Sequence, residues 1–208
     1  MNRLIKLGDL SEEKQKRIKK IEESMAFAQN FTIKFQNTYN EMVALEPKVR
    51  SLLDIQAVQI YQIMLEKLKK GLVAFNKSTI TDKLNFIIQN IMQDNEQFNQ
   101  NYNASPINTN RLIKKSKTED TPIIKEAKQL KKDLLRIKKE LFDLYDDGEI
   151  LAEMTKQLLN YHAKNSVLKR IKNIKTVARW LNNDDAFDTD LIGRLDKIID
   201  GEIPNTVE

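Results

Sequence analysis

Apolar residues between Thr121 and Gly148 recur at Ile123, Ala127, Leu130, Leu134, Ile137, Leu141 and Leu144, alternating steps of four and three. This period holds one stripe on one side of an α-helix, whereas a strand would scatter the same residues over both faces. Lettered as a heptad, Ala127, Leu134 and Leu141 are a sites and Ile123, Leu130, Ile137 and Leu144 are d sites. The g sites Glu126, Asp133 and Glu140 are acidic, and the e sites Lys131 and Lys138 are basic. In a parallel helix pair, Glu126 would meet Lys131 of the partner and Asp133 would meet Lys138. Ile124 and Tyr145 at e, with Leu135 and Phe142 at b, widen the stripe beyond a two-stranded seam. A helix buried on several sides of a bundle is therefore expected over a free-standing dimer, which so short a zipper would support only marginally. Leu130, Leu134, Ile137 and Leu141 are the candidate partner-binding residues of this stripe.

The same period predicts helices along the rest of the chain. Asp9 or Ser11 offers an N-cap ahead of Glu12 and Glu13, and Ile18, Ile21, Met25, Ala28, Phe35, Tyr39 and Met42 form a seam interrupted at Thr32 beside Phe31. Pro47 is expected to end or kink this helix near Leu45. The segment from Val49 to Leu68 is apolar over most of a helix circumference, so several neighbours or another chain must cover it. Gly71 and the polar residues around Ser78 read as a turn, before a third helix from about Asp82 with Leu84, Ile87, Ile88, Ile91, Met92 and Phe98 on one face. Residues 99–121 lose the apolar period and gain Asn, Ser, Thr, Lys and Pro106, the composition of a linker. Thr121 as N-cap and Pro122 at the first position start the next helix, and Asp146, Asp147 and Gly148 read as its stop. A helix through Leu151 and Tyr161, another through Val167 and Leu181 after a polar break near Asn165, and a short one ending at Gly201 complete the reading. The expectation is an all-α, elongated helical bundle with coiled-coil-like segments in two helical units. These are residues 1–100, a three-helix unit, and 122–208, joined by a polar linker over 101–121.

Composition narrows the possibilities. The 208 residues include five Gly, four Pro and no Cys, which suits long helices and removes disulfides, thiolate metal sites and cysteine nucleophiles. No apolar run approaches the length of a membrane span, and Lys6 and Asp9 interrupt the start where a signal peptide needs an unbroken apolar stretch. A cytoplasmic protein without membrane association is expected. The net charge of +5 names no partner, but its distribution is uneven. Residues 111–139 carry eleven Lys or Arg against four acids, and residues 164–179 carry six with no acid. Residues 184–202 reverse this, with seven acids against Arg194 and Lys197.

Chemical signatures are sparse. His162 is the only histidine, and no nucleophile elbow, His-Glu-x-x-His pair or glycine-rich phosphate loop accompanies it. Asp184, Asp185, Asp188 and Asp190 supply oxygen ligands without the spacing of a calcium loop, and helix capping accounts for them. No enzyme, metal or cofactor is expected. The segment 164–179 places Lys169, Lys172, Lys175 and Arg179 opposite its apolar face, with Trp180 beside Lys169. Cations bordered by an aromatic ring suit a nucleic acid, releasing counterions from phosphates and stacking an unpaired base; Trp180 packed under the final acidic helix, with the basic residues suited to a helix C-terminus, gives the same pattern. Two functions follow: a non-enzymatic adaptor, scaffold or assembly chaperone binding a protein partner or a second copy through apolar helix faces, or a DNA- or RNA-binding accessory protein using 111–139 and 164–179.

Overall fold

The computed structural model describes residues 11–76, 80–93, 121–181 and 191–202. They form α1 (Glu12–Leu52), α2 (Ile55–Asn76), α3 (Ile80–Gln93), α4 (Pro122–Leu158), α5 (Tyr161–Trp180) and α6 (Leu191–Ile199), and the described residues contain no strand. The 99–121 linker falls almost wholly outside the described residues, as do Phe98 and the aspartates at 184, 185, 188 and 190.

Four long helices make an all-α bundle in which each neighbour runs antiparallel to the next. Lys34 of α1 pairs with Asp147 of α4 at 2.6 Å, and Arg136 of α4 reaches Glu41 of α1 at 2.8 Å. On the other side of α1, the Tyr61 hydroxyl of α2 donates to the Met42 carbonyl at 2.7 Å and Phe75 packs on Phe31. Helix α5 closes the ring, with Lys164 on Glu153 of α4 and Asn173 donating to the Lys67 carbonyl of α2 at 3.1 Å. At 41 residues, α1 extends about 60 Å and sets the elongated shape. The helices on either side of the linker share one hydrophobic core, so the units expected at 1–100 and 122–208 meet along their length.

The α1 seam runs through Ile18, Ile21, Ala28, Phe31, Phe35, Met42, Leu45, Val49 and Leu52, all buried. Phe31 continues it past Thr32, whose hydroxyl donates back to the Ala28 carbonyl. Two polar residues inside the seam are satisfied the same way, Ser24 on Lys20 and Thr38 on Lys34, both at 3.0 Å. Tyr61 is buried with its hydroxyl bonded, and burial raises its phenol pKa well above the ordinary value.

Four expected breaks are corrected. Pro47 lies inside α1, which ends at Leu52, because burying Leu45, Val49 and Leu52 outweighs one missing amide bond on an exposed flank. Gly71 and Gly148 lie inside α2 and α4, where they serve close packing. A Cβ on Gly148 would stand 2.7 Å from Ile171 Cδ1, and one on Gly71 would stand 3.2 Å from the Arg170 carbonyl oxygen. The break near Asn165 falls instead at Asn160, whose side chain accepts from the Ala163 amide at 2.9 Å as the α5 N-cap. Thr121 and Pro122 start α4 as expected. Helix α3 packs on α1, and α6 packs on α4. At that end Asp196 binds Lys131, while Arg194 pairs with Asp54 in the α1–α2 turn.

Candidate functional site

Leu130, Leu134, Ile137 and Leu141 are fully buried within the chain. Helices α1, α5 and α6 cover α4, so the stripe is occupied internally on more than one side. Lys131, expected to reach an acid of a partner helix, is bonded to Asp196, and Asp133 accepts from Gln129 at 3.1 Å. The apolar circumference of α2 is largely consumed: Ala57, Ile60, Tyr61, Met64, Leu65 and Leu68 are buried, leaving Ile55, Ile63 and Val73 exposed. Other exposed apolar side chains, such as Ile33 on α1 and Ile150 on α4, stand apart from one another along their helices. Isolated apolar residues of this kind are ordinary protein surface.

The basic ridge of α5 is positioned by that helix's burial pattern. Val167, Ile171, Ile174, Val177 and Ala178 face the core, which turns Lys169, Lys172 and Arg179 outward into exposed positions. Lys175 is half-buried at the α4 edge, its ammonium 4.4 Å from the centroid of the Tyr145 ring. Trp180 is half-buried at the α2 edge, packed against the core, with the Lys67 ammonium 5.0 Å from its ring centroid. The structure thus brings the five ridge residues onto one face and adds Lys67.

The two edges of this face differ in charge. Residues 140–153 of α4 contain six acids and no base, and they run beside α5. Glu153 pairs with Lys164 and Lys156, and those hydrogen bonds hold its carboxyl below the usual glutamate pKa. The Glu153 bond likewise raises the Lys164 ammonium. Burial, followed by the 2.8 Å hydrogen bond to Glu149, pushes Tyr145 up to about 12. Among the described residues, the negative charge beside α5 comes mainly from α4. Along the α2 edge stand Lys67 and Lys70, the latter 3.4 Å from Glu66.

The other basic segment is divided. Residues 111–120 lie outside the described residues; in α4, Lys131 is paired with Asp196 and Arg136 bridges Glu41 and Glu140. Lys125, Lys132 and Lys139 are exposed. His162 is exposed near the start of α5, and no group of three or more His, Cys, Asp or Glu among the described residues could hold a metal ion. Among those residues no helix is long and apolar enough to cross a membrane.

Sequence reasoning missed Lys67 and the α4 acids. The acids were readable as a run without bases, but their position beside α5 depends on the antiparallel α4–α5 hairpin, which a break at Gly148 concealed. Lys67 carries no local signal, because the α2–α5 crossing sets its partner. Comparison with protein-family models, curated proteins and solved structures finds no match for this chain.

Proposed function

We propose that this chain is a non-enzymatic helical interaction protein that holds the phosphate backbone of a nucleic acid along the outer face of α5. One observation carries the reading. Lys169, Lys172 and Arg179 are exposed on a helix without acids, and among the described residues the acids beside that helix lie mainly along its α4 edge. Three or four cations in a row match a polyanion, whose affinity comes from counterion release. An apolar docking face is less well supported, since the α4 stripe is buried by the chain's own helices. Anisotropy of a labelled oligonucleotide tests the reading. With three or four phosphate contacts, affinity falls roughly 20- to 150-fold between 50 and 200 mM salt. Absence of salt-sensitive binding at low ionic strength rejects it.

A second reading, self-association, is favoured by α3. This helix packs chiefly on α1 and leaves Phe86 62% exposed. A second copy seated there would give a dimer mass by light scattering that Phe86→Glu returns to the monomer; a monomer at every concentration excludes it.

A further inference from the structure

We infer that the outer face of α4 is an antiparallel, two-fold interface with a second copy of this chain. The inference stands apart from the phosphate-backbone reading, because its residues all belong to α4 and α5 packs beside them.

At 100° per residue, the side of α4 opposite its buried stripe carries Lys132 and Lys139 in one half and Asp143 and Asp146 in the other, with one apolar residue in each half, Leu135 and Ile150. All six are exposed, Leu135 at 37% and Ile150 at 50%. Helices α1 and α5 flank this side: Lys34 of α1 reaches Asp147, and Lys175 of α5 reaches Tyr145. The charge along the face therefore reverses once, near its middle.

A helix of that kind is complementary to itself when turned end for end. A two-fold axis midway between Phe142 and Asp143 sets Lys139 opposite the partner's Asp146, Lys132 opposite the partner's Glu153 and Leu135 opposite the partner's Ile150. One register thus gives each cation an acid and each exposed apolar side chain another, over about 32 Å of helix from Lys132 to Glu153. Symmetry makes every pair twice. A parallel pairing in register would set Lys139 against the partner's Lys139 and Asp146 against the partner's Asp146, so the charges select the antiparallel arrangement. This face is the reverse side of the helix from Leu134 and Leu141, which the chain's own helices cover. Glu153 already bonds Lys156 and Lys164, which makes Lys139 with the partner's Asp146 the deciding pair. Exposed ion pairs contribute little singly and are screened by salt, so the dimer is weak and salt-sensitive.

Sedimentation equilibrium of the full chain tests the inference. Wild type should dimerise at low salt as its concentration rises and return to the monomer at high salt. Lys139→Glu places an acid against the partner's Asp146 at two symmetric positions and should weaken the dimer about 10-fold or more. Asp146→Lys should do the same by setting cations against the partner's Lys139. Mixed in equal amounts, the two variants should recover a heterodimer of near wild-type affinity, since each reversed residue then faces its opposite; that recovery also shows both variants to be folded. Phe86→Glu on α3 should leave the dimer unchanged. A monomer at every concentration at low salt refutes the inference, as does a dimer that neither reversal weakens. Weakening in both variants without recovery in the mixture refutes the antiparallel register. A dimer lost only in Phe86→Glu belongs to α3 and overturns an interface on α4. Salt-sensitive oligonucleotide binding by a monomeric wild type leaves the α5 reading standing while this one falls.

Discussion

At the scale of single residues, Gly148 stands where α4 meets Ile171 of α5 and Phe31 of α1. After Asp146 and Asp147, Gly148 reads as a helix stop, because the same small residue serves a left-handed cap and a tight helix crossing. Only its neighbours distinguish the two roles, and Ile171 and Phe31 belong to other helices. Gly148→Ala places a methyl 2.7 Å from Ile171 Cδ1, 3.1 Å from its Cγ2 and 3.2 Å from Phe31 Cε2. The overpacking costs about 1–3 kcal/mol and outweighs the gain of about 1 kcal/mol in helix propensity when the neighbours cannot yield. Denaturant unfolding should show net destabilisation, and Ile171→Val, which removes the closest carbon, should recover part of it in a double-mutant cycle. Tyr145 offers a second test. Because the fold raises its pKa to about 12, the neutral phenol contributes stability that is complete below the unfolded value near 10 and is lost as pH climbs through 12. The denaturation midpoint of wild type should therefore fall more steeply between pH 10 and 12 than that of Tyr145→Phe, and parallel profiles would remove this contribution.

Secondary-structure elements were the most legible level. The alternating three- and four-residue steps of α1 and α4 identify helices and name most of the buried stripe: Ala127, Leu130, Leu134, Ile137, Leu141 and Leu144 are buried, whereas Ile123 in the first turn is exposed. Helix ends were less legible where punctuation had another cause. Pro47 costs α1 an amide bond, but burial of Val49 and Leu52 carries the helix onward. Pro47→Ala restores that donor at an exposed position and should stabilise the protein by about 2 kcal/mol, after allowing for a more flexible unfolded chain. A lower denaturation midpoint would show that the helix is adapted to the proline. In the stripe, Leu134→Ala and Leu141→Ala should each cost about 2–5 kcal/mol in equilibrium unfolding. Costs below about 1 kcal/mol would contradict their place in the core.

For the whole molecule, the ring of four antiparallel helices explains why one basic segment remains a candidate surface and apolar stripes do not. Periodicity gave the apolar faces without saying what would cover them, and in the fold α1, α2, α4 and α5 cover one another. The ridge was legible as charge on one helical face, whereas its edges were not, because Lys67 and the α4 acids reach it only through helix pairing. The proposed division into two surfaces, an α5 face for the phosphate backbone and the remaining cations outside it, is open to a single direct measurement. Oligonucleotide affinity is compared across salt concentrations for wild type, for Lys169→Glu with Lys172→Glu, and for Lys132→Glu with Lys139→Glu on exposed positions of α4. All three proteins should show the same helical circular dichroism, and the two variants carry the same net charge. The α5 pair should lose most of the affinity and flatten the salt slope, while the α4 pair binds nearly as wild type. Equal loss in both variants, or no loss in the α5 pair, would contradict a binding face on α5.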